Sequence, residues 1–127
     1  MKLRIKGNSI RFRLTRSEVQ QLQTAHRLEE TLWLAGNAAS RLTYAVEANA
    51  AVTASQLRHT SSEIVAVIPK NSVSQWATGE DVGIYATLDL GSNGKLELAI
   101  EKDFACLDRD DEENADSFPN PKAGKPC

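Results

Sequence analysis

The sequence predicts an α+β domain made mainly of antiparallel sheet. About eight short strands and two short helices are expected, with the sheet strongly curved or closed into a small barrel. A two-sheet β-sandwich is the alternative. Three observations carry this reading. Apolar residues recur at every second position in run after run, which is the strand period. Breaks rich in Gly, Asn and Ser separate the runs as hairpin turns would. At two places a short helical stripe follows a capping or proline signal. About eight alternating strands in roughly 100 residues must curl, close or split to bury their apolar faces.

The clearest element is the first. Leu3 and Ile5 alternate with Lys2, Arg4 and Lys6, and Ile10, Phe12 and Leu14 alternate with Ser9, Arg11 and Arg13. Gly7-Asn8 between them supplies the positive φ of a tight turn. One face of this hairpin is a core wall and the other a row of cations.

Thr15 with Glu18 is a capping box, so a helix starts there with Val19, Leu22 and Ala25 as its apolar stripe. Residues 28–34 read as a strand with Leu28, Glu30, Leu32 and Leu34 on one side, Glu30 being out of pattern. Gly36-Asn37 turns the chain into a strand over 41–47, with Leu42, Tyr44 and Val46 inward. Residues 52–57 form a weaker strand, and 58–62 a polar hairpin loop. Residues 63–68, EIVAVI, are a β-branched strand that Pro69 stops. Asn71 or Ser72 would cap a second helix, with Val73, Trp76 and Ala77 buried and Gly79 ending it. Residues 82–90 place Val82, Ile84, Ala86 and Leu88 on one face and Tyr85 and Thr87 on the other. Gly91-Ser92-Asn93-Gly94 turns into a last strand carrying Leu96, Leu98 and Ile100. No internal repeat with a period of 20–50 residues shows in the sequence.

A chain of 127 residues is one domain, long enough for a real core. Its 41% hydrophobic and 25% charged residues are ordinary for a soluble globular protein. The net charge of −2 averages two opposite ends. Residues 1–16 hold six cations and no acid, whereas residues 101–116 hold eight acids against two cations. No run approaches the roughly 20 apolar residues of a membrane span, and charges interrupt every apolar pair near the start, leaving no signal-peptide core. Cys106 and Cys127 are too few for a disulfide framework. A reduced, cytoplasmic protein is therefore expected.

From Glu101 the periodicity breaks. The chain divides into a sheet domain over 1–103 and an acidic extension over 104–127 that holds three of the four prolines. The extension is either a solubilising tail or a segment that docks. In the docked form Phe104, Phe118, Pro119 and Pro121 are its anchors, and its acids lie against Lys2, Arg4, Lys6, Arg11 and Arg13. Residues after Lys122 are expected to be disordered.

The opening MKLRIKGNSIRFRLTRSEV and the closing EKDFACLDRDDEENADSFPNP resemble a family of small uncharacterised bacterial proteins. Its members pair a K-[IL]-R-[IL]-[KR]-G-N-S-[IL]-R-x-R-L hairpin with an E-K-D-F-x-C-L segment and a D-x-[FY]-P-N-P ending. The resemblance implies a bacterial source. It implies no activity, cofactor or catalytic residue.

The basic face suggests a polyanion such as nucleic acid. Against this, Phe12 points inward, so stacking aromatics are missing from the hairpin face, and the pI of 5.7 is low. Such a face more often pairs with acids of neighbouring strands, a tail or a second subunit. The run from Asp108 to Glu113 lacks the D-x-D-x-D-G spacing of a Ca²⁺ loop, and Cys106 with His26 or His59 lacks the spacing of a zinc site. No metal and no cofactor are expected. Ser9, Cys106, His26 and His59 stand in no nucleophile motif. Glu29 with Glu30, or Glu101 with Asp103, are the carboxylate pairs that an acid–base site inside a barrel would use, and an inward-facing charge would count in favour of one.

The leading expectation is a non-enzymatic binding or interaction module with the basic hairpin as its recognition face. Its partner is its own tail or a second subunit, a homodimer being open to it, and a polyanion is a further candidate. The alternative is a small enzyme with its site in the mouth of the curved sheet.

Overall fold

A computed structural model describes residues 1–104 of the chain. Strands β1 (Lys2–Lys6) and β2 (Ser9–Leu14) form the expected hairpin, with Lys2 opposite Arg13 and Lys6 opposite Ser9. Gly7 turns it at φ +55°, a left-handed conformation open to glycine without steric penalty.

Helix α1 (Arg16–Ala25) begins at Thr15 through both halves of a capping box. Thr15 N donates to Glu18 Oε1 at 2.9 Å, and Glu18 N donates to Thr15 Oγ1 at 3.4 Å. Val19 and Leu22 are buried, whereas Ala25 is exposed. The helix stops there because His26 adopts the left-handed region at φ 63° and donates its N–H to Leu22 O.

The chain continues through β3 (Arg27–Trp33), β4 (Arg41–Asn49), β5 (Gln56–His59) and β6 (Glu63–Pro69). Val52 lies in the link between β4 and β5 rather than in a strand, and Arg58 and His59 belong to β5 rather than to the loop. Helix α2 (Lys70–Thr78) follows Pro69 directly and has no side-chain cap. Asn71 and Ser72 therefore lie inside its first turn. Pro69 has φ −54°, so its fixed backbone turns the chain into the helix at once. Gly79 ends α2, and Val73 and Trp76 are buried beneath it, as the spacing predicts. Strands β7 (Gly83–Asp89) and β8 (Lys95–Lys102) complete the fold around a short 3₁₀ turn at Gly91–Asn93.

The eight strands and two helices of the α+β class are present, but the expected single curved sheet or barrel is not. The strands form two open four-stranded sheets, sheet A in the order β1-β2-β8-β7 and sheet B in the order β3-β4-β6-β5. Each consists of two antiparallel hairpins joined by a parallel pair, β2 with β8 and β4 with β6. The helices explain this. Each leaves a hairpin of one sheet and delivers the chain to the other sheet, so the open edge of β2 is filled from the far end of the sequence.

The registers expose an internal repeat longer than the periods weighed from sequence. Leu3 faces Phe12, and Leu57 faces Ala66; Phe12 faces Ile100, and Ala66 faces Val46. In every case the partner positions are shifted by 54 residues (3 to 57, 12 to 66, 46 to 100). Leu3, Arg4, Ile10, Val19, Gln21, Thr24, Leu42, Ala45 and Glu47 recur as Leu57, Arg58, Ile64, Val73, Gln75, Thr78, Leu96, Ala99 and Glu101. Each half gives one hairpin to each sheet.

One core lies between the inner faces. Phe12 and Leu14 of β2, Val46 of β4, Ile68 of β6 and Ile100 of β8 meet Leu22 of α1 and Trp76 of α2 there. Burial of each such side chain stabilises the fold by about 1.5–3 kcal/mol. Trp76 keeps its ring N–H satisfied by donating to Val82 O at 3.1 Å. A second, smaller cluster of Ala45, Val65 and Val67 sits on the outer face of sheet B, closed by Val52.

Candidate anion-binding face

The outer face of sheet A is assembled from both ends of the chain. Strand alternation turns Lys2, Arg4 and Lys6 of β1 outward with Ser9, Arg11 and Arg13 of β2. The pairing then adds outward residues of β8 and β7 in rows. Lys2, Arg13, Glu101 and Gly83 form one row, Arg4, Arg11, Ala99 and Tyr85 the next, and Lys6, Ser9, Glu97 and Thr87 the third. All five cations singled out from sequence therefore share one face, and Phe12 is wholly buried behind it.

Glu101 is the hub of that face. It pairs with Arg11 Nε at 2.9 Å, lies 3.8 Å from Arg13 Nε, and accepts from Tyr85 Oη at 2.7 Å. The hydrogen bond to Glu101 holds the Tyr85 hydroxyl above its ordinary pKa, with burial and the carboxylate charge acting the same way. Tyr85 reaches Glu101 only because residue 83 is glycine. A Cβ there would stand 2.9 Å from Tyr85 Oη, 2.9 Å from Glu101 Cγ and 2.8 Å from Ile100 O. The Tyr85 hydroxyl therefore sits beside the bare backbone of Gly83, and the residue stays 60% exposed. Lys2 pairs with Asp103 at 3.2 Å. Arg4 and Lys6 are exposed and have no acidic partner among the described residues.

Sheet B has the same plan with different residues. Its hub is Glu47, which accepts from Arg27 at 3.1 Å and Arg58 at 3.2 Å. The hydrogen bond from Arg58 leads in holding the Glu47 carboxyl below its usual range; burial opposes it, and Asn49 and Arg27 reinforce it. Arg58 is the counterpart of Arg4, and Val65 and Val67 are the counterparts of Arg11 and Arg13. Val65 and Val67 are buried under Val52. Sheet B thus closes its outer face with apolar residues, and sheet A lines the same face with cations.

A model of a family of unknown function, DUF7009, matches residues 1–122. The chain belongs to the DUF7009 family. The matched span covers the basic hairpin and reaches past Pro121, so both segments that carried the resemblance lie inside it. No curated protein and no solved structure matches the chain.

The remaining sites considered from sequence fall elsewhere in this DUF7009 member. Glu30 does face the inner side of β3, but as one partner in a closed cluster. Its Oε1 accepts from the Met1 amine at 3.0 Å and its Oε2 from Tyr44 Oη at 2.9 Å; the same amine also donates to Glu18. Burial opposes charge on both Met1 and Glu18, yet their mutual hydrogen bonds outweigh it, raising the amine pKa and lowering that of the carboxyl. Glu29 points outward to Arg27, and Glu101 and Asp103 are held by cations and Tyr85. Ser9 Oγ donates to Lys6 O at 2.6 Å. A shallow depression of about 390 Å³ lies on sheet B, lined in part by His26, Arg27, Glu47, Asn49 and Lys70. His59 ends β5. Among the described residues no three His, Cys, Asp or Glu side chains stand together as a metal site requires, and no helix is long and apolar enough to cross a membrane. Phe104 is exposed. The other tail anchors, Phe118, Pro119 and Pro121, lie outside the described residues, as do Cys106 and the acids from Asp108 to Asp116.

Sequence reading missed Tyr85 as a member of this face. Its outward direction was legible from alternation, but its placement beside the cations depends on β8 pairing with β2, which no local signal announces.

Proposed function

We propose that this protein is a non-enzymatic binding module that takes an anionic partner on the outer face of sheet A. The observation that carries the reading is the difference between two equivalent faces. Where sheet B has Val65 and Val67 closed under Val52, sheet A has half-exposed Arg11 and Arg13, open Arg4 and Lys6, and an exposed Tyr85. Cations on one sheet face track phosphates or carboxylates, and the exposed Tyr85 ring beside them offers a surface for a planar group. In this reading the protein works in the bacterial cytoplasm. A second copy can supply the acidic partner, giving a homodimer.

The test is fluorescence anisotropy with a labelled oligonucleotide at low and moderate salt. It compares the full chain with the full chain carrying Asp110→Asn, Asp111→Asn, Glu112→Gln and Glu113→Gln. Salt-sensitive binding by the neutralised chain, abolished by adding Arg4→Glu and Lys6→Glu, supports the reading. Binding by neither chain at any salt, or binding indifferent to Arg4→Glu, sinks it.

A small enzyme with an acid–base site is the second reading, favoured by the inward Glu30 beside Tyr44. The Met1 amine and the Tyr44 hydroxyl already occupy both Glu30 oxygens, which supports a structural role for that cluster.

A further inference from the structure

We infer that the end of the molecule away from the helices docks on an anionic lipid surface, with the tip of the β3–β4 hairpin as its apolar anchor. The inference goes beyond the proposed function and uses the ends of the sheets rather than the face of sheet A.

Strand direction gathers the four hairpin turns at that end. Helices α1 and α2 pack together where β2 and β6 finish. The turns before β2 and β6 lie at the far ends of those strands, and the parallel pairs bring the turns before β8 and β4 beside them. Asn8 Nδ2 donates to Lys95 O at 2.7 Å, and Thr43 N to Ser62 O at 2.8 Å. Leu22 and Trp76 close the helix end. At the turn end Ile5, Leu32, Leu34 and Leu90, which continue the apolar period of the inner faces, are exposed.

The β3–β4 tip differs from its counterpart. Trp33 lies opposite Arg41 as Asp89 lies opposite Lys95, so the two pairs are equivalent in the repeat. Where the β7–β8 tip has a carboxylate, the β3–β4 tip has a tryptophan that is 60% exposed. Alternation sends Trp33 to one side of the hairpin and Leu32 and Leu34 to the other. A tip that is apolar on both sides is suited to immersion in an apolar medium, and tryptophan is the side chain enriched at lipid–water boundaries.

Charge selects the medium. Residues 5–9, 32–42, 59–62 and 90–95 make up the turn end, and they hold Lys6, Arg41 and Lys95 and no acid. None of these three cations has an acidic partner among the described residues. Arg41 Nη1 donates to Ala38 O, which carries its charge onto the loop. The bordering acids are engaged: Glu63 reaches back to Arg27 at 3.5 Å, and Asp89 Oδ1 accepts from Gly91 N at 2.8 Å. A second copy docked end to end would set like charges together, whereas anionic lipid headgroups complement them. The contact is peripheral, for no described helix is long and apolar enough to cross a membrane.

The test uses the full chain and vesicles of equal parts phosphatidylglycerol and phosphatidylcholine, against vesicles of phosphatidylcholine alone. Binding is read by co-sedimentation and by tryptophan emission. The chain has two tryptophans and Trp76 is already buried, so a blue shift reports Trp33. The anionic vesicles should bind at least about tenfold more tightly and shift the emission to the blue, each cation contributing about fivefold. Trp33→Ser with Leu34→Ser should abolish sedimentation without lowering Tm, since both side chains are exposed. Trp33→Phe should keep binding and lose the shift. Equal binding to both vesicles, or no blue shift, overturns the inference. So does a blue shift that needs no vesicles and accompanies a doubling of mass, which makes the occupant a second copy. Binding that survives Trp33→Ser with Leu34→Ser but is lost on Arg4→Glu also overturns it, and leaves the face of sheet A as the anion site. Vesicle docking as expected with no oligonucleotide binding upholds it and removes the proposed function instead.

Discussion

Glu47 and Glu101 occupy equivalent positions in the two halves of this protein, and each pairs with two arginines of its own sheet. In sheet B the arginines come from the two edge strands, Arg27 of β3 and Arg58 of β5. In sheet A both come from the central strand β2, as Arg11 and Arg13. Arg4, the counterpart of Arg58, is thereby left facing solvent.

Glu101→Gln should loosen Arg11 and Arg13 while keeping the shape of the hub. The face gains a unit of positive charge, so an oligonucleotide should bind more tightly, with a steeper dependence on salt. Losing two ion pairs to half-exposed arginines should lower stability by only about 0–1 kcal/mol. Anisotropy titrations and urea melts check the two effects; weaker binding would show that Glu101 itself contacts the partner.

Glu47 ties stability to acid pH. Its carboxyl is held below the usual value of 4.5, so the folded state binds fewer protons there than the unfolded state. The stability it adds is present above pH 4.5 and is lost as pH falls through the lowered folded value. Glu47→Gln should flatten the acid limb of a plot of Tm against pH. An unchanged limb would mean that other carboxylates set it.

The Met1 cluster acts at the opposite end of the scale. Its amine is raised above the ordinary value of 8.0, so its contribution is fully present below pH 8.0 and is lost as pH rises through the folded value. Glu30→Gln, which removes one charge partner, should reduce the fall in Tm between neutral and alkaline pH. It should also shift the titration of Tyr44, whose hydroxyl is raised first by burial and then by Glu30. Alkaline unfolding identical to that of the parent protein would count against the cluster.

Gly83→Ala should destabilise by about 1–3 kcal/mol, in the range of an overpacked site. The added methyl meets Ile100 O, a backbone atom that has little room to yield, as well as the Tyr85 hydroxyl. Tyr85 should swing off Glu101, and its absorbance titration should move back toward pH 10. Melting curves and tyrosine titration read the two results separately. A stable variant with an unmoved Tyr85 would show that the strand relaxes around the methyl.

Much of the molecule was legible in local patterns. The Thr15–Glu18 box marks α1 because both partners sit within one turn. Gly7 marks the first hairpin because only its φ is demanded there. The five cations could be assigned to one face because alternation alone decides it. The α2 start was misplaced because Pro69 sets the backbone without any side-chain cap. The repeat escaped notice because its recurring residues are scattered and its period is long.

By itself the sequence determined the elements, their faces and the charge each face would carry, since those follow from turn chemistry and side-chain period over a few residues. Which strands lie side by side was decided only by the tertiary structure. The pairing of Arg11 with Ala99 and, through it, with Tyr85 joins positions more than 70 residues apart. Such a contact is set by how two helices hand their hairpins from one sheet to the other and by the single core they close. No local propensity encodes it, because its stabilisation comes from burying the inner faces of both sheets at once.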